Sequence, residues 1–379
     1  MAMIQYKPVV PPGKNVFDLS TPQNTPADLK GPIEEPGREQ PQTPRELGYY
    51  FPAEFAQHRA TWLSWPHKEA SWPGKIESIF PRYAEFVKYL SMSEEVCINV
   101  WDTAMRDAAL AHLAHAGADL SRVHFYFHPT NDAWCRDHGP AFLVNRNPTK
   151  GKAIVDWDYN AWGNKYPPYE LDDVIPSMVG KALNLPVFYP RIIMEGGSVE
   201  FNGAGTVLTS TCCLLNENRN PHLDKAGVER YLLDYYGMDR VLWVSEGIVG
   251  DDTDGHIDDT VRFVNADTVL SVVERNPQDE NYAPLQRNLM ELRGMGLNVI
   301  ELPMPSPVWF SGQRLPASYA NFYICNRYVI VPTYRCTADE EALRIIQDCY
   351  PTREVVGIDS TDLIWGLGSF HCLSQQEPG

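Results

Sequence analysis

No apolar run in this chain approaches the ~20 residues that a helix needs to cross a bilayer, so no membrane association is expected. The opening MAMIQYKPVVPPGK lacks the apolar centre of a signal peptide, and export is not expected either. Positive charge is scarce: 32 Lys and Arg against 49 Asp and Glu leave a formal net charge of −17. Such a surface repels phosphates, which argues against a nucleic-acid partner and is compatible with a small cation. A glycine-rich phosphate loop is also missing, and with it the usual mark of a nucleotide enzyme. The eight cysteines, at positions 97, 135, 212, 213, 325, 336, 349 and 372, form no short-spaced framework. A chain of this size builds a core without crosslinks, so reduced thiols and a cytoplasmic location are the expectation. Cys135, His138, His256 and Cys372 are zinc-ligand types, but among themselves they show no CxxC, HxxxH or HExxH spacing and no metal is expected.

What the chain has in excess lies at its start. Nine of its 31 prolines precede residue 45, in a stretch that can sustain neither a helix nor a central strand. Residues 1–46 therefore read as an extended Pro-rich arm, and residues 47–379 as one continuous domain. Within that domain EEVCINVW, RVHFYFHP, PAFLVN, LNVIELP, YVIVPTY and EVVGID read as strands. TAMRDAALAHLAHAGA, PLQRNLMELRGMG and ADEEALRIIQDCY read as helices, and TVRFVNADTVLSVVE as a strand hairpin. Strands alternating with helices every few tens of residues imply an α/β fold. Recurrence of two or three strands plus one helix suggests repeated units, which around a common axis would bring distant strand ends to one cavity.

Four segments carry candidate chemistry. TDGHIDDTVRFV, read as a strand, places His256, Asp258, Thr260 and Arg262 on one polar face and Ile257, Val261 and Phe263 on the other. The same pattern fits an ordinary surface strand. In GSFHCLS, read as extended, His371 and Cys372 point to opposite faces, so a base for the thiol must come from elsewhere, and His256 is the best candidate. NDAWCRDHGP sets an aromatic ring, Trp134, beside a carboxylate, Asp137, the two features that hold a cation. In IIMEGGSVEFNGAGTVLTS, glycines 196 and 197 allow close approach to Glu195, which could hydrogen-bond an imidazole and fix its tautomer. A hairpin with an Asn-Gly turn follows.

Together these residues resemble the agmatine deiminase family, which includes bacterial peptidylarginine deiminase relatives. FPAEFAQHRATWLSWP, WCRDHGP, NAWGNKYPPYELDD, EGGSVEFNGAGTVLTSTCCLLNENRNP, TDGHIDDTVRFV, SYANFYICNRYVIVPTY and GSFHCLSQQEP carry the likeness, in order, from about residue 47 onward; the Pro-rich arm lies outside it. The resemblance implies a pseudo-fivefold α/β-propeller of the guanidine-modifying enzymes, with the active site in a central channel. It implies hydrolysis of a guanidinium to a ureido group with release of ammonia, needing neither metal nor organic cofactor. By motif, Cys372 corresponds to the nucleophile, His256 to the acid/base and Glu195 to its orienting partner. Asp137 and Asp258 correspond to the carboxylates that grip the guanidinium, with Trp134, Asn321 and Gly368 also at the substrate. Two departures stand out: Gly366-Leu367-Gly368 replaces three consecutive glycines, and His-Ile-Asp-Asp replaces the family's His-x-Asp-Asn.

The expected activity is conversion of agmatine to N-carbamoylputrescine and ammonia. NAWGNKYPPYELDD and LLNENRNP are closer to the agmatine branch, and no arginine pair offers itself to a substrate carboxylate. The alternatives are a deiminase of peptidyl or free arginine or another guanidine, an amidinotransferase that passes the same thiouronium to an amine, and an inactive binding protein. A homo-oligomer stays open.

Overall fold

The computed structural model describes residues 29–30 and 42–379, so most of the expected arm, residues 1–46, lies outside the described residues. Five sheets share one plan. In each, a first strand runs antiparallel to a central strand; the chain then forms a helix and returns as a third strand parallel to the central one. One unit comprises Ala141–Asn145, Lys152–Val155, the helix Ile175–Leu183 and Val187–Phe188, with Tyr49–Tyr50 added at its edge. The next has Val199–Phe201, Thr206–Ser210, the helix Lys225–Tyr236 and Arg240–Val244. Val261–Phe263, Thr268–Val273, the helix Tyr282–Gly294 and Asn298–Pro303 repeat the pattern, as do Tyr323–Ile324, Tyr328–Thr333, the helix Ala338–Cys349 and Glu354–Asp359.

The remaining unit is discontinuous in sequence. Its central strand His58–Ser64, helix Ile76–Ser91 and strands Glu95–Asn99 and Val123–Tyr126 come early, but its short antiparallel strand is Ser374–Pro378, from the last residues of the chain. The chain end is therefore a structural strand: Ser374 faces Leu63, and Gln376 faces Thr61. Glu377, buried in this strand, accepts from Trp62 Nε1 at 3.0 Å and from Lys152 Nζ at 2.6 Å.

Local sequence explains the helices between the strands. In Ile76–Ser91 the residues Ile79, Tyr83, Phe86, Val87 and Leu90 recur at helical spacing and are buried. Asp102 caps Thr103–Ala116 by accepting from Met105 N, and Gly117 ends that helix in the left-handed region at φ 77°. Among the described residues no helix is long and apolar enough to cross a membrane.

One expected element differs. The strand read across TDGHIDDTVRFV is confined to Val261–Phe263, and Ile257–Asp259 form a 3-10 turn ahead of it. Alternation by two therefore does not hold at His256 and Asp258. Arg262, expected on their face, is buried instead against Glu54 and Glu200, at 2.9 and 3.1 Å. The hairpin after Glu195 also turns more widely than an Asn-Gly pair, with residues 202–205 between its strands.

Candidate active site

The short first strand of each unit is preceded by a turn, and these five turns hold the candidate residues. Asp137 precedes Ala141, Glu195 precedes Val199, His256 and Asp258 precede Val261, Asn321 precedes Tyr323, and Cys372 precedes Ser374. A position shared by all five repeats thus delivers a thiol, an imidazole, carboxylates and an amide to one place. That shared position explains why Cys372 lies so near the chain end.

These groups are in contact or nearly so. Cys372 Sγ lies 3.7 Å from Asp258 Oδ2 and accepts from Asn321 Nδ2 at 3.0 Å. Asn321 in turn donates to Asp259 Oδ1 and accepts from the amides of Ser369 and Cys372, so it fixes both sulfur and loop. His256 Nδ1 lies 3.7 Å from Asp137 Oδ1 and 4.0 Å from Asp258 Oδ1. Asp137 is oriented by two donors, Gly197 N at 2.9 Å and Trp162 Nε1 at 3.0 Å. Gly197 sits at the centre: a Cβ there would lie 2.6 Å from His256 Nδ1, 2.8 Å from Asp137 Oδ1 and 3.0 Å from Asp258 Oδ2. Gly368 has the same role beside the sulfur, where a Cβ would come within 2.5 Å of the Trp134 ring and 3.0 Å of Cys372 Cβ.

Glu195 is buried with His256 and Cys213, their donor atoms all within 4.8 Å of one another. The hydrogen bond expected between Glu195 and the imidazole is not made. Glu195 Oε1 accepts from Arg219 Nε at 2.6 Å, its Oε2 has no partner, and neither nitrogen of His256 has one. Unpartnered polar atoms this deeply buried are costly, and a polar ligand that reached them would satisfy them. Among the described residues, Glu195, Cys213 and His256, and likewise Asp258, Asp259 and Cys372, are the two groups with metal-ligand chemistry, and both belong to this site. The mixed set of Cys135, His138, His256 and Cys372 is not one of them.

The turn Phe370–Leu373 is not extended, which removes the geometry assumed for GSFHCLS. His371 nevertheless points away from the thiol. Its Nδ1 meets Asp258 Oδ2 at 2.6 Å and its Nε2 meets Glu54 Oε2 at 2.7 Å. Glu54 also accepts from Arg136 and from the amide of Ile324, and it forms an ion pair with Arg262 at 2.9 Å. Glu54, Asp259, Arg219 and Trp162 were not singled out from the sequence for this site, and His371 was weighed only as a base for the thiol. Nothing local marks them, because their roles arise from contacts such as His371–Glu54 across 317 positions.

Burial sets the electrostatics. Cys372 is pushed well above the usual thiol range, first by burial and then by Asp258, Asp259 and Asp137. Burial also lifts Asp137 to about 6; His256 opposes that rise, and Asp258 and Glu195 add to it. For Asp258 burial acts upward too, but hydrogen bonding and charge from His371, with His256 and Arg262, outweigh it and hold the carboxyl below its ordinary value. His256 is raised: burial alone would lower it, but Asp137, Asp258, Glu195 and Asp251 prevail. The site therefore favours a neutral thiol, a surplus of carboxylates and an imidazole biased toward its protonated form.

Five like α/β units that pool a thiol, an imidazole and carboxylates at one buried point define the class: an α/β protein with a carboxylate-flanked thiol site assembled from all five units. The family described as Porphyromonas-type peptidyl-arginine deiminase matches residues 50–378, and the chain belongs to it. The chain is 33% identical to a cysteine-to-serine variant of the C. jejuni agmatine deiminase solved with substrate bound. That structure superposes with a TM-score of 0.81, covering 87% of this chain and 96% of the other. The agmatine deiminase of Enterococcus faecalis, solved while catalysing its reaction, is 29% identical with a TM-score of 0.82, covering 90% and 99%. A Selenomonas ruminantium protein, named as an unproven agmatine deiminase, is 35% identical over 368 residues, covering 89% of this chain and 97% of its own length. The fold is therefore that of the solved agmatine deiminases.

Proposed function

We propose that this chain hydrolyses the guanidinium of agmatine to N-carbamoylputrescine and ammonia through a covalent adduct on Cys372. The observation that carries the reading is the buried thiol 3.7 Å from the Asp258 carboxylate, with Asp137 and His256 within 4.0 Å of each other or of that carboxylate. Its support is the substrate-bound relative at 33% identity. In the finer arrangement we infer, the five units surround a shared axis and the site is its central channel. Residues 47–379 are the catalytic domain and residues 1–46 an appended arm. All eight cysteines are free thiols, the state that a reducing cytoplasm maintains.

A guanidinium is always cationic and a poor electrophile, so it must be gripped and aligned before attack. Asp137 and Asp258 take its nitrogens and place the central carbon over sulfur. Trp134 and Gly368 bound the approach beside the thiol, and Asn321 donates to the sulfur. The cation also cancels the carboxylate field that keeps Cys372 protonated, so thiolate forms when substrate binds. Sulfur attacks the central carbon, His256 protonates the departing nitrogen, and ammonia leaves a thiouronium. Water, deprotonated by His256, then adds to the same carbon; the C–S bond breaks, the thiol is restored and the ureido product departs. Glu195, neutralised on one oxygen by Arg219, faces His256 with the other and favours the imidazolium.

The family's description names peptidyl-arginine, which makes a peptide substrate the second reading. Against it stands a sulfur atom in a residue only 7% exposed, a depth suited to a slender substrate. The test is ammonia and ureido-product formation from agmatine, arginine and arginyl peptides. Turnover is expected on agmatine, with Cys372→Ser and His256→Gln each lowering kcat by at least about a thousandfold. Preference for a peptide, or near-normal turnover by either variant, overturns the reading.

A further inference from the structure

Lys30 lies twenty positions before the first residue matched by the family, yet its side chain is only 8% exposed. Its ammonium donates to Asp173 Oδ1 at 2.7 Å and Asp158 Oδ1 at 2.8 Å, and lies 3.4 Å from Asp156 Oδ1. Three carboxylates around one ammonium are a deliberate neutralisation: without the cation they would repel at close range in a poorly hydrated setting. Burial alone would push the ammonium toward its neutral form, and the carboxylates outweigh that effect.

Two of these carboxylates bracket one loop. Asp158 and Asp173 stand at either end of residues 159–172, and Asp173 Oδ1 also accepts from Tyr159 N at 2.7 Å. Within the loop Ala161, Trp162, Gly163 and Asn164 all have positive φ, at 49°, 55°, 83° and 63°. Non-glycine residues in that region cost about 1 kcal/mol or more each and persist only where the surroundings over-determine them. The product of this strained run is the position of Trp162, whose Nε1 donates to Asp137 Oδ2 at 3.0 Å. The Tyr159 ring packs edge-on against Trp162 at 5.6 Å. Asp158 has a further link, since its carbonyl accepts from Met194 N, one residue before Glu195.

We propose that Lys30 is a positioning residue for the guanidinium site. By holding Asp158 and Asp173 together, it clamps the two ends of the 159–172 loop and so keeps Trp162 on Asp137. The inference rests on the deiminase reading above for its kinetic consequence, but not for its structural one. The clamp works through charge: among the described residues Arg191, 4.0 Å from Asp158, is a second cation facing this group, and the Ser177 and Tyr189 hydroxyls add hydrogen bonds beside Asp156.

The test compares full-length Lys30→Met and Lys30→Arg proteins with the parent chain. Lys30→Met is expected to raise KM for agmatine about tenfold while kcat stays within about twofold, because the lost orientation weakens binding more than chemistry. Amide hydrogen exchange of residues 159–164 is expected to quicken in the same variant. Lys30→Arg, which keeps the charge, should restore both, and adding Asp158→Asn to Lys30→Met should recover part of the loss by removing repulsion. An unchanged KM and exchange rate in Lys30→Met, or failure of Arg to rescue, overturns the proposal. If the parent chain does not turn over agmatine, the deiminase reading falls and the exchange comparison alone decides the role of Lys30.

Discussion

At the scale of single residues, the site is a set of charges that tolerate burial only in combination. His371 shows this best. With each ring nitrogen facing a carboxylate, it donates to Asp258 and Glu54 at 2.6 and 2.7 Å only as an imidazolium. Removing one partner of a buried ion pair leaves the other uncompensated, at a cost of about 3–5 kcal/mol. Glu54 would keep Arg136 and Arg262, whereas Asp258 would lose its one short partner. His371→Ala is therefore expected to lower unfolding free energy by about 3 kcal/mol, measured by urea denaturation. A loss under about 1 kcal/mol would mean that the His371–Asp258 pair is not ionic. The sequence could not announce this histidine. An adjacent His-Cys pair suggests a base for the thiol, and only the turn geometry directs the ring to a carboxylate 113 positions away. Asp137, Asp258, His256 and Cys372 were legible because their motifs are long and ordered. Glu54 was not, since its partners come from four distant segments.

At the scale of elements, the secondary structure was legible where period and caps agree. The helix Thr103–Ala116 begins after a capping Asp102 and ends at Gly117, as its sequence suggests. The turn Ile257–Asp259 was not legible, because a few alternating polar residues satisfy a strand pattern and a 3-10 turn equally well. A second case is the glycine-rich approach to Cys372. Leu367, the departure from three consecutive glycines, has φ 69°, so it occupies a left-handed position that suits glycine. Its half-buried side chain packs against the apolar cluster that includes Ile364, which offsets the backbone cost of about 1–2 kcal/mol. Leu367→Gly exchanges that packing for backbone relief, and a net change within about 1 kcal/mol is expected. Leu367→Val keeps less of the packing and adds a branch at Cβ, which the left-handed region accepts poorly; a loss of about 2 kcal/mol is expected. Thermal unfolding of the two variants checks the order, and a valine variant as stable as the glycine variant would refute the strain argument.

At the scale of the whole molecule, the alternation of strands and helices gave away an α/β repeat. The closure of the first unit by Ser374–Pro378 did not show, because register between the two chain ends leaves no local trace. That closure makes the thiol site a property of the complete domain, and its proton balance should be felt in global stability. Asp137 and Asp156 are both lifted from 3.8 to about 6, chiefly by burial. For a carboxyl raised by folding, the native state binds protons that the unfolded chain has released. Stability is then greatest at low pH and falls as pH climbs from about 4 through about 6. Between about pH 5 and pH 7 each of the two groups should cost about 1 kcal/mol. His256, also raised, acts in the same direction, since its stabilisation is present below the unfolded imidazole value and is lost as pH rises through the folded one. Asp258 and Glu54, held low, oppose this only under more acid conditions, where their protonation begins. Binding a guanidinium requires the opposite state, with Asp137 ionised, so kcat/KM should climb through about pH 6 while the urea midpoint falls over the same interval. Trp162→Phe removes a donor to the charged form of Asp137 and should shift the acid limb of kcat/KM to higher pH. Parallel rather than opposed trends in activity and stability, or an acid limb unmoved in Trp162→Phe, would show that Asp137 is not the carboxylate that the substrate must find ionised.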